Sequence, residues 1–384
     1  MVVDKQLSIG EPSPGSIYGD EEREAILEEL EKFYSWNLHD YKDKISEFEN
    51  AFSKYIGCNY SIAINGGGAA LDLILKALDC KPTDEIVSPV INFHGTHSAI
   101  INTGAKLILC DSTNNLNICI DSLKRKLSPR TKAVVITHMN GLGCDENEIL
   151  KELNDYSLKT GKQIKLISDS ARSCGSAVNG IKTGNLSWAT FFSFQRKKQM
   201  NTLGEGGMVT TNDLDLAEKI KAYRSFGMGK IWGSNFKMTN IQAAIGIEQL
   251  KKLDFNNSLR RNLAVKRTEI LSKEFPDWIL PVNNNKYFNT YYLYSIILPN
   301  YMSKDDRDNI MNVLYDKYGV GSCIANNVTY KTNNFIKHNA SFDGLENSEE
   351  IADRLFCVII HPNLTEEQEI YITDSLIKVG KLYV

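Results

Sequence analysis

AVVITHMNGLGCDENEILKELNDYSLKTGKQIKLISD, residues Ala133–Asp169, begins and ends on short apolar, β-rich runs with an amphipathic segment between them. The two runs, Ala133–Thr137 and Ile164–Asp169, are nearly continuous in apolar residues, as strands buried on both faces must be. A helix-length connection between two such strands lets them lie side by side and parallel. The alternation continues outward on both sides. Tyr60–Asn65, Glu85–Pro89, Lys106–Cys110, Ala189–Phe194 and Gly207–Thr211 bring the candidate strands to seven. Between them, Leu71, Ile74, Leu75 and Leu78 recur at the i, i+3, i+4, i+7 spacing of one helix face. The pattern predicts an α/β fold, a mostly parallel seven-stranded sheet flanked by helices. A helical arm over Glu21–Tyr34 precedes the sheet, and a long helical stretch with breaks, roughly Thr239–Leu271, follows it. YYLYSIIL, a helix near Asp305–Tyr318 and FCVIIHP predict a smaller C-terminal α+β domain, dividing the chain into residues 1–250 and 251–384.

The 384 residues are 42% apolar and 24% charged, the balance of a soluble globular protein. Lys plus Arg number 44 against 47 Asp plus Glu, a formal net charge of -3, which gives no electrostatic reason to expect nucleic acid or an anionic membrane. No run of eighteen apolar residues suggests a membrane span. MVVDKQLSIGEPSPGSIYGDEERE turns acidic where a leader would be apolar. The eight cysteines show no CxxC and no paired spacing, and read as reduced thiols of a cytoplasmic protein.

In an open parallel sheet, ligands bind beyond the carboxyl ends of the strands. Five segments place unusual residues there. NGGGAALDL, Asn65–Leu73, passes from strand to helix through three glycines; its bare backbone N–H groups suit a phosphate, although a plain turn would use the same glycines. INFHGT, Ile91–Thr96, sets Phe93 beyond a strand end, to stack on a flat ligand or to enter the core. In KLISDSARSCGS, Asp169 closes a buried strand. A carboxylate there needs a cation, such as a protonated pyridine nitrogen, unless it caps a turn. TFFSFQRKKQMNTLGEGGM, Thr190–Met208, delivers Ser193 and then the run Arg196, Lys197, Lys198. A lysine amine is nucleophilic only when neutral, and neighbouring cations favour that form; a solvated basic cluster would look the same. On these grounds Lys197 and Lys198 rank close together. NFKMTNIQAAIGIEQL, Asn235–Leu250, reads by itself as a loop feeding an apolar helix.

In this order and at these separations, the five segments resemble the DegT/DnrJ/StrS family of sugar aminotransferases, which use pyridoxal 5′-phosphate and share the aspartate aminotransferase-like fold type I. The resemblance runs from FENAFSKYIG, Phe48–Gly57, to HPNLTEEQ, His361–Gln368, and its most specific piece is S-F-x-x-x-K followed by G-E-G-G, Ser193–Gly207. It implies that Lys198, five residues after Ser193, carries the cofactor as a Schiff base. Ser193 and the backbone amides of Gly66, Gly67 and Gly68 would bind the phosphate. Asp169 would pair with the pyridine nitrogen, Ala171 would pack on the ring, and Phe93 would stack on its other face. Asn235 would reach the phosphate of the neighbouring subunit, which implies a homodimer with shared active sites.

Several positions depart from the family pattern. Gly68 replaces a threonine, Ser168 an acidic residue, and Arg172 a Gln or His. Arg172 could contact the cofactor's phenolic oxygen or hold an anionic group of the substrate. GSCIANNVTYKTNN lacks the Tyr-Pro pair of sugar-nucleotide members, and Gln195 resembles the branch acting on cyclitols. The expected reaction moves an amino group from glutamate or glutamine to a keto sugar, a nucleotide-linked keto sugar or a cyclitol, in amino-sugar or secondary-metabolite biosynthesis. A dehydratase is the competing enzyme, but family members of that kind carry His in place of the lysine. A non-catalytic cofactor-binding regulator is the competing non-enzyme.

Overall fold

In the computed structural model, which describes residue 10 and residues 15–34, 43–325 and 327–383, the apolar runs are strands. They pair edge to edge in the order Tyr60–Ile64, Gly207–Thr211, Ala189–Ser193, Lys165–Asp169, Thr131–Thr137, Glu85–Pro89, Lys106–Cys110 and Ala340–Ser341. Most of the acidic N-terminal stretch, and Asn326 of the GSCIANNVTYKTNN loop, lie outside the described residues.

Val134, Val135, Ile136, Leu166 and Ile167 are all buried, as the continuous apolar runs require of strands covered on both faces. Gly207–Thr211 runs against both its neighbours, whereas the pairings from Ala189–Ser193 outward to Ala340–Ser341 are parallel. Tyr60–Ile64 therefore points the same way as Ala189–Ser193. Four of the five segments singled out in the sequence follow the carboxyl ends of strands and open on one edge of the sheet; the fifth, Asn235–Leu250, is a loop that leads into the long helix.

Two details differ from the sequence pattern. The sheet has an eighth member, Ala340–Ser341, supplied by the C-terminal part and paired with Leu107 and Ile108. Two residues carry no period, so no pattern could reveal it. The long helix has no break: it runs from Asn240 to Glu274, 35 residues, started by a capping box between Thr239 and Gln242. It contains no proline, and polar residues such as Asn256, Asn257, Arg260 and Arg267 are buried within it. Its first part packs on the helices Asp20–Tyr34 and Lys44–Ile56, and it also packs on Glu366–Gly380 of the C-terminal part.

The C-terminal part has its own core, with Tyr294, Ile296, Ile310, Leu314, Phe356 and Leu376 at its centre. Its sheet joins Tyr294–Ile297, Leu355–Val358 and Ser322–Cys323 antiparallel. A buried ion pair ties it to the long helix. Arg267, fully buried, donates Nε to Glu369 Oε1 at 2.7 Å and Nη2 to Glu369 Oε2 at 2.6 Å, a bidentate fork. Glu369→Gln leaves that guanidinium buried without a counter-charge and is expected to cost about 3–5 kcal/mol in urea unfolding. Glu366→Gln, which removes an exposed partner of Lys266, should leave the midpoint unchanged. Equal midpoints for the two variants would refute the assignment. All eight cysteines are free, and among the described residues no helix is long and apolar enough to cross a membrane.

Candidate active site

A cavity of about 500 Å³ opens at the carboxyl edge of the sheet, lined by Gly66, Gly67, Gly68, Phe93, Thr96, Asp169, Ala171, Arg172, Ser193, Gln195, Lys198, Glu205 and Tyr292. A neighbouring cleft of about 530 Å³, between Thr113–Leu116 and Ile279–Val282, has no titratable side chain in its lining and so offers no acid–base chemistry.

Each end of the cavity follows from local chain chemistry. Gly66 starts the helix Gly67–Leu78 without a side-chain cap, so the first N–H groups of that helix are not taken by a capping side chain. A side chain on Gly67 would lie 2.8 Å from Ser193 Cβ, and one on Gly207 would lie 2.6–2.8 Å from the backbone of Gly66 and Gly67. Only glycines let this helix start sit directly against Ser193, which gives a cradle of backbone amides beside a hydroxyl. That geometry fits a phosphate group.

At the other end, Asp169 is the last residue of its strand and is 4% exposed. Its backbone carbonyl accepts from His138 N–H at 3.0 Å. Its side chain accepts from Ala171 N–H at 2.9 Å and from Thr96 Oγ1 at 3.1 Å. Burial pushes the Asp169 carboxyl up, against the pull of the Ala171 amide, Lys198, Arg172 and Thr96. A cation brought against this carboxyl, such as the N–H of a protonated pyridine, would offset that burial. The residues present therefore fit pyridoxal phosphate at both its phosphate end and its ring nitrogen.

Behind Asp169, Ser168 and Ser187 both donate to Glu146 Oε1, and His138 Nε2 lies 3.6 Å from the same oxygen. Burial opposes ionisation of Glu146, but His138 and the two hydroxyls outweigh it and hold its carboxyl below the usual range. The acid missing at Ser168 is thus present in space, supplied by the start of another helix.

Lys198 is half-buried with its Nζ 5.0 Å from the centre of the Tyr292 ring; Arg172 Cζ lies 5.8 Å from the same centre. Arg172 Nη1 donates to Asn140 Oδ1 at 3.1 Å, which fixes the guanidinium at the cavity wall. Arg196 and Lys197, taken from the sequence as the cations beside Lys198, are exposed and do not line the cavity. Arg196 and Lys197 form an exposed turn and only Lys198 turns inward, so adjacency in sequence is not adjacency in space. Phe93 remains 52% exposed at the cavity mouth, outside the core, with its ring beside that of His94.

Asn235 is exposed and does not line this cavity. Tyr292 and Thr96 line it without having been singled out. Thr96 stood inside INFHGT, and its offset beyond a strand end was the available signal. Tyr292 arrives from the C-terminal part, and nothing in YYLYSIIL distinguishes it from its tyrosine neighbours.

The profile of the DegT/DnrJ/EryC1/StrS aminotransferase family matches residues 20–377. A spore coat polysaccharide biosynthesis protein, SpsC, of Bacillus subtilis is 31% identical over 326 residues, 80% of this chain and 81% of its own. A GDP-perosamine synthase of Caulobacter vibrioides is 37% identical over 227 residues, 57% of this chain and 59% of its own. The crystal structure of an aminotransferase from Psychrobacter cryohalolentis superimposes with a TM-score of 0.86 at 25% identity, covering 97% of this chain and 98% of that one.

Proposed function

The chain belongs to the DegT/DnrJ/EryC1/StrS aminotransferase family and is an aminotransferase, and from that premise we propose that it moves an amino group from glutamate or glutamine to a keto sugar, nucleotide-linked keto sugar or cyclitol, using pyridoxal 5′-phosphate bound at Lys198. The convergence of Lys198, Asp169 and Ser193 on one cavity at the strand ends carries this reading. The relative named GDP-perosamine synthase favours a nucleotide-linked acceptor, and the spore coat relative favours a polysaccharide pathway.

Bound pyridoxal phosphate supplies an electron sink for the carbanion left when the substrate's C–H bond breaks. The amides of Gly66–Gly68 and the Ser193 hydroxyl would hold its phosphate. Asp169 would keep its ring nitrogen protonated, and Ala171 and Phe93 would hold the ring. Lys198 would be the base that takes the proton from the substrate's α carbon and delivers it to the cofactor's carbon. Tyr292 stands beside the amine, and Arg172, fixed by Asn140, presents positive charge to the substrate side. On this reading residues 1–250 form the cofactor-binding unit, and residues 251–384 form a smaller unit that closes one wall through Tyr292.

A homodimer completes the site. Asn235 sits beside the segment Phe226–Trp232, where Phe226, Met228, Ile231 and Trp232 are 62%, 65%, 47% and 55% exposed. Phe226 and Met228 hold left-handed backbone angles, φ 50° and 49°, a costly arrangement that presents large apolar groups outward. A second copy covering this patch would bury it and bring Asn235 to the partner's phosphate end. A cytoplasmic setting fits the eight free thiols.

The test is a half-reaction. Purified protein loaded with pyridoxal phosphate should lose its visible chromophore on addition of glutamate or glutamine, releasing the matching 2-oxo acid in a 1:1 ratio. A nucleotide-linked keto sugar or a keto cyclitol should then restore the chromophore. A chromophore that neither donor changes would sink transamination.

A further inference from the structure

The loop that carries Lys198 is an excursion between two strands, closed by Phe194 N–H to Gly206 O at 2.8 Å and Arg196 N–H to Gly204 O at 2.9 Å. It has no strand or helix of its own. A segment some 183 residues earlier lies across it. Gly15 N–H donates to Arg196 O at 2.7 Å, and Asn201 Nδ2 donates to Ser16 Oγ at 2.6 Å. The Tyr18 hydroxyl donates to Asn201 Oδ1 and accepts from Leu203 N–H at 3.2 Å. These contacts meet the loop on both sides of Lys198.

The same segment is tied from behind to the long helix Asn240–Glu274. Gln249 Nε2 donates to Ile17 O at 2.8 Å, and the buried guanidinium of Arg260 donates to Gly15 O. Lys252 Nζ and Gln249 Nε2 hold Glu22, at 2.8 and 2.7 Å, just beyond it. Gly15 has no room for a side chain. A Cβ there would stand 2.2 Å from Lys197 O, 2.5 Å from Lys197 C and 2.8 Å from Lys198 O. All three are backbone atoms, so no rotamer change relieves the overlap and the loop itself must shift.

We propose that Gly15–Tyr18 is a positioning strap for Lys198: it transmits the rigidity of the long helix to a loop that lacks regular structure, and so sets where the Lys198 amine stands. The proposal rests on Lys198 being the cofactor lysine. A strap of this kind acts on the lysine, not on the phosphate cradle or on Asp169, and that difference can be measured. Pyridoxal phosphate condenses with the lysine amine, the C=N bond forming as the aldehyde oxygen leaves as water. Pyridoxamine phosphate carries an amine at that carbon and cannot make the bond, yet it uses the same cradle and the same carboxylate.

Binding of both compounds to the full-length apo-protein, by equilibrium dialysis, separates the two contributions. Gly15→Ala should weaken pyridoxal phosphate about tenfold or more, since displacements near 1 Å at a reacting group carry penalties of this order or larger, and should move pyridoxamine phosphate by less than about twofold. Tyr18→Phe, which removes one hydroxyl and leaves the packing intact, should show the same selectivity at about threefold. It decides the matter if the alanine variant does not fold. Equal losses for both compounds would mean a general scaffold role and would overturn the strap, as would no loss for either. Borohydride reduction of the wild-type complex with peptide mapping is the companion measurement. Label on another lysine removes the premise itself, whereas label on Lys198 with unselective variants removes only the strap.

Discussion

Lys198→Ala is expected to lower amino transfer about 10³–10⁴-fold, the range over which loss of a positioned nucleophile and proton-transfer group is felt. Thermal stability should change little, because Lys198 is only half-buried at a cavity wall. The neighbouring Lys197→Ala is the decisive control. It differs by one position, carries the same charge and sits on the same loop, yet it is exposed and outside the cavity lining. It should retain activity within about twofold, the range of surface substitutions away from special features.

Lys198→Arg sharpens the result. Arginine keeps the positive charge beside Tyr292 but never presents a neutral amine at physiological pH. If charge in the cavity were all that mattered, arginine would substitute; if a nucleophilic amine and a movable proton are required, it fails as completely as alanine. A small primary amine added to the alanine variant should restore part of the proton transfer, and the arginine variant, whose side chain still fills the space, should resist that rescue. Lys198→Ala retaining a tenth of the activity, or Lys197→Ala losing as much as Lys198→Ala, would refute the assignment.

What the sequence made legible and what it hid divide along a physical line. Ala133–Thr137 and Ile164–Asp169 were readable because a strand covered on both faces must be apolar throughout, and few other structures demand that. Asp169, Ser193 and Gly66–Gly68 were readable because strand ends are local features: a charge, a hydroxyl or a glycine run stands out against the apolar run before it. The side of the sheet on which they open then follows from topology. Tyr292 and the Gly15–Tyr18 strap were not readable. Their roles depend on contacts across more than 90 residues, and locally they are one tyrosine among several and a short Gly-Ser-Ile-Tyr stretch. Arg196 and Lys197 show the converse error. Neighbours in sequence were taken as neighbours of the amine, whereas the cation that lines the cavity, Arg172, comes from a different strand end. The unbroken course of Asn240–Glu274 was hidden for a related reason. Arg260 and Arg267 look like solvent-facing interruptions until their partners, Gly15 O and Glu369, arrive from elsewhere in the chain.

Asp169→Asn is expected to stabilise the apo-protein at neutral pH while weakening its function, and the two effects have one cause. Burial raises the folded-state carboxyl above its ordinary value near 3.9. Between that ordinary value and the raised one, the folded state binds more protons than the unfolded state, so stability falls as pH rises through the window and stays reduced above it. Asparagine does not titrate. It can still accept from Ala171 N–H and can donate to Thr96 Oγ1, so the wild-type hydrogen bonds have replacements. The apo variant should therefore melt above apo wild type at pH 7, with the difference closing as pH falls towards about 3.5. With pyridoxal phosphate the order should reverse. The carboxylate then faces a protonated ring nitrogen and recovers the free energy lost to burial, whereas the neutral amide holds that nitrogen's proton poorly. Ligand-induced stabilisation should be larger for wild type, and turnover of the variant should fall about 10²–10³-fold, as for loss of one preorganised electrostatic partner. Asp169→Ala would not give this pattern, since it leaves the Thr96 hydroxyl and the Ala171 amide without their acceptor and should melt lower in both states. If apo Asp169→Asn melts no higher than wild type at pH 7, the carboxyl is not held against its burial, and the claim that this site is built around an absent cation loses its physical basis.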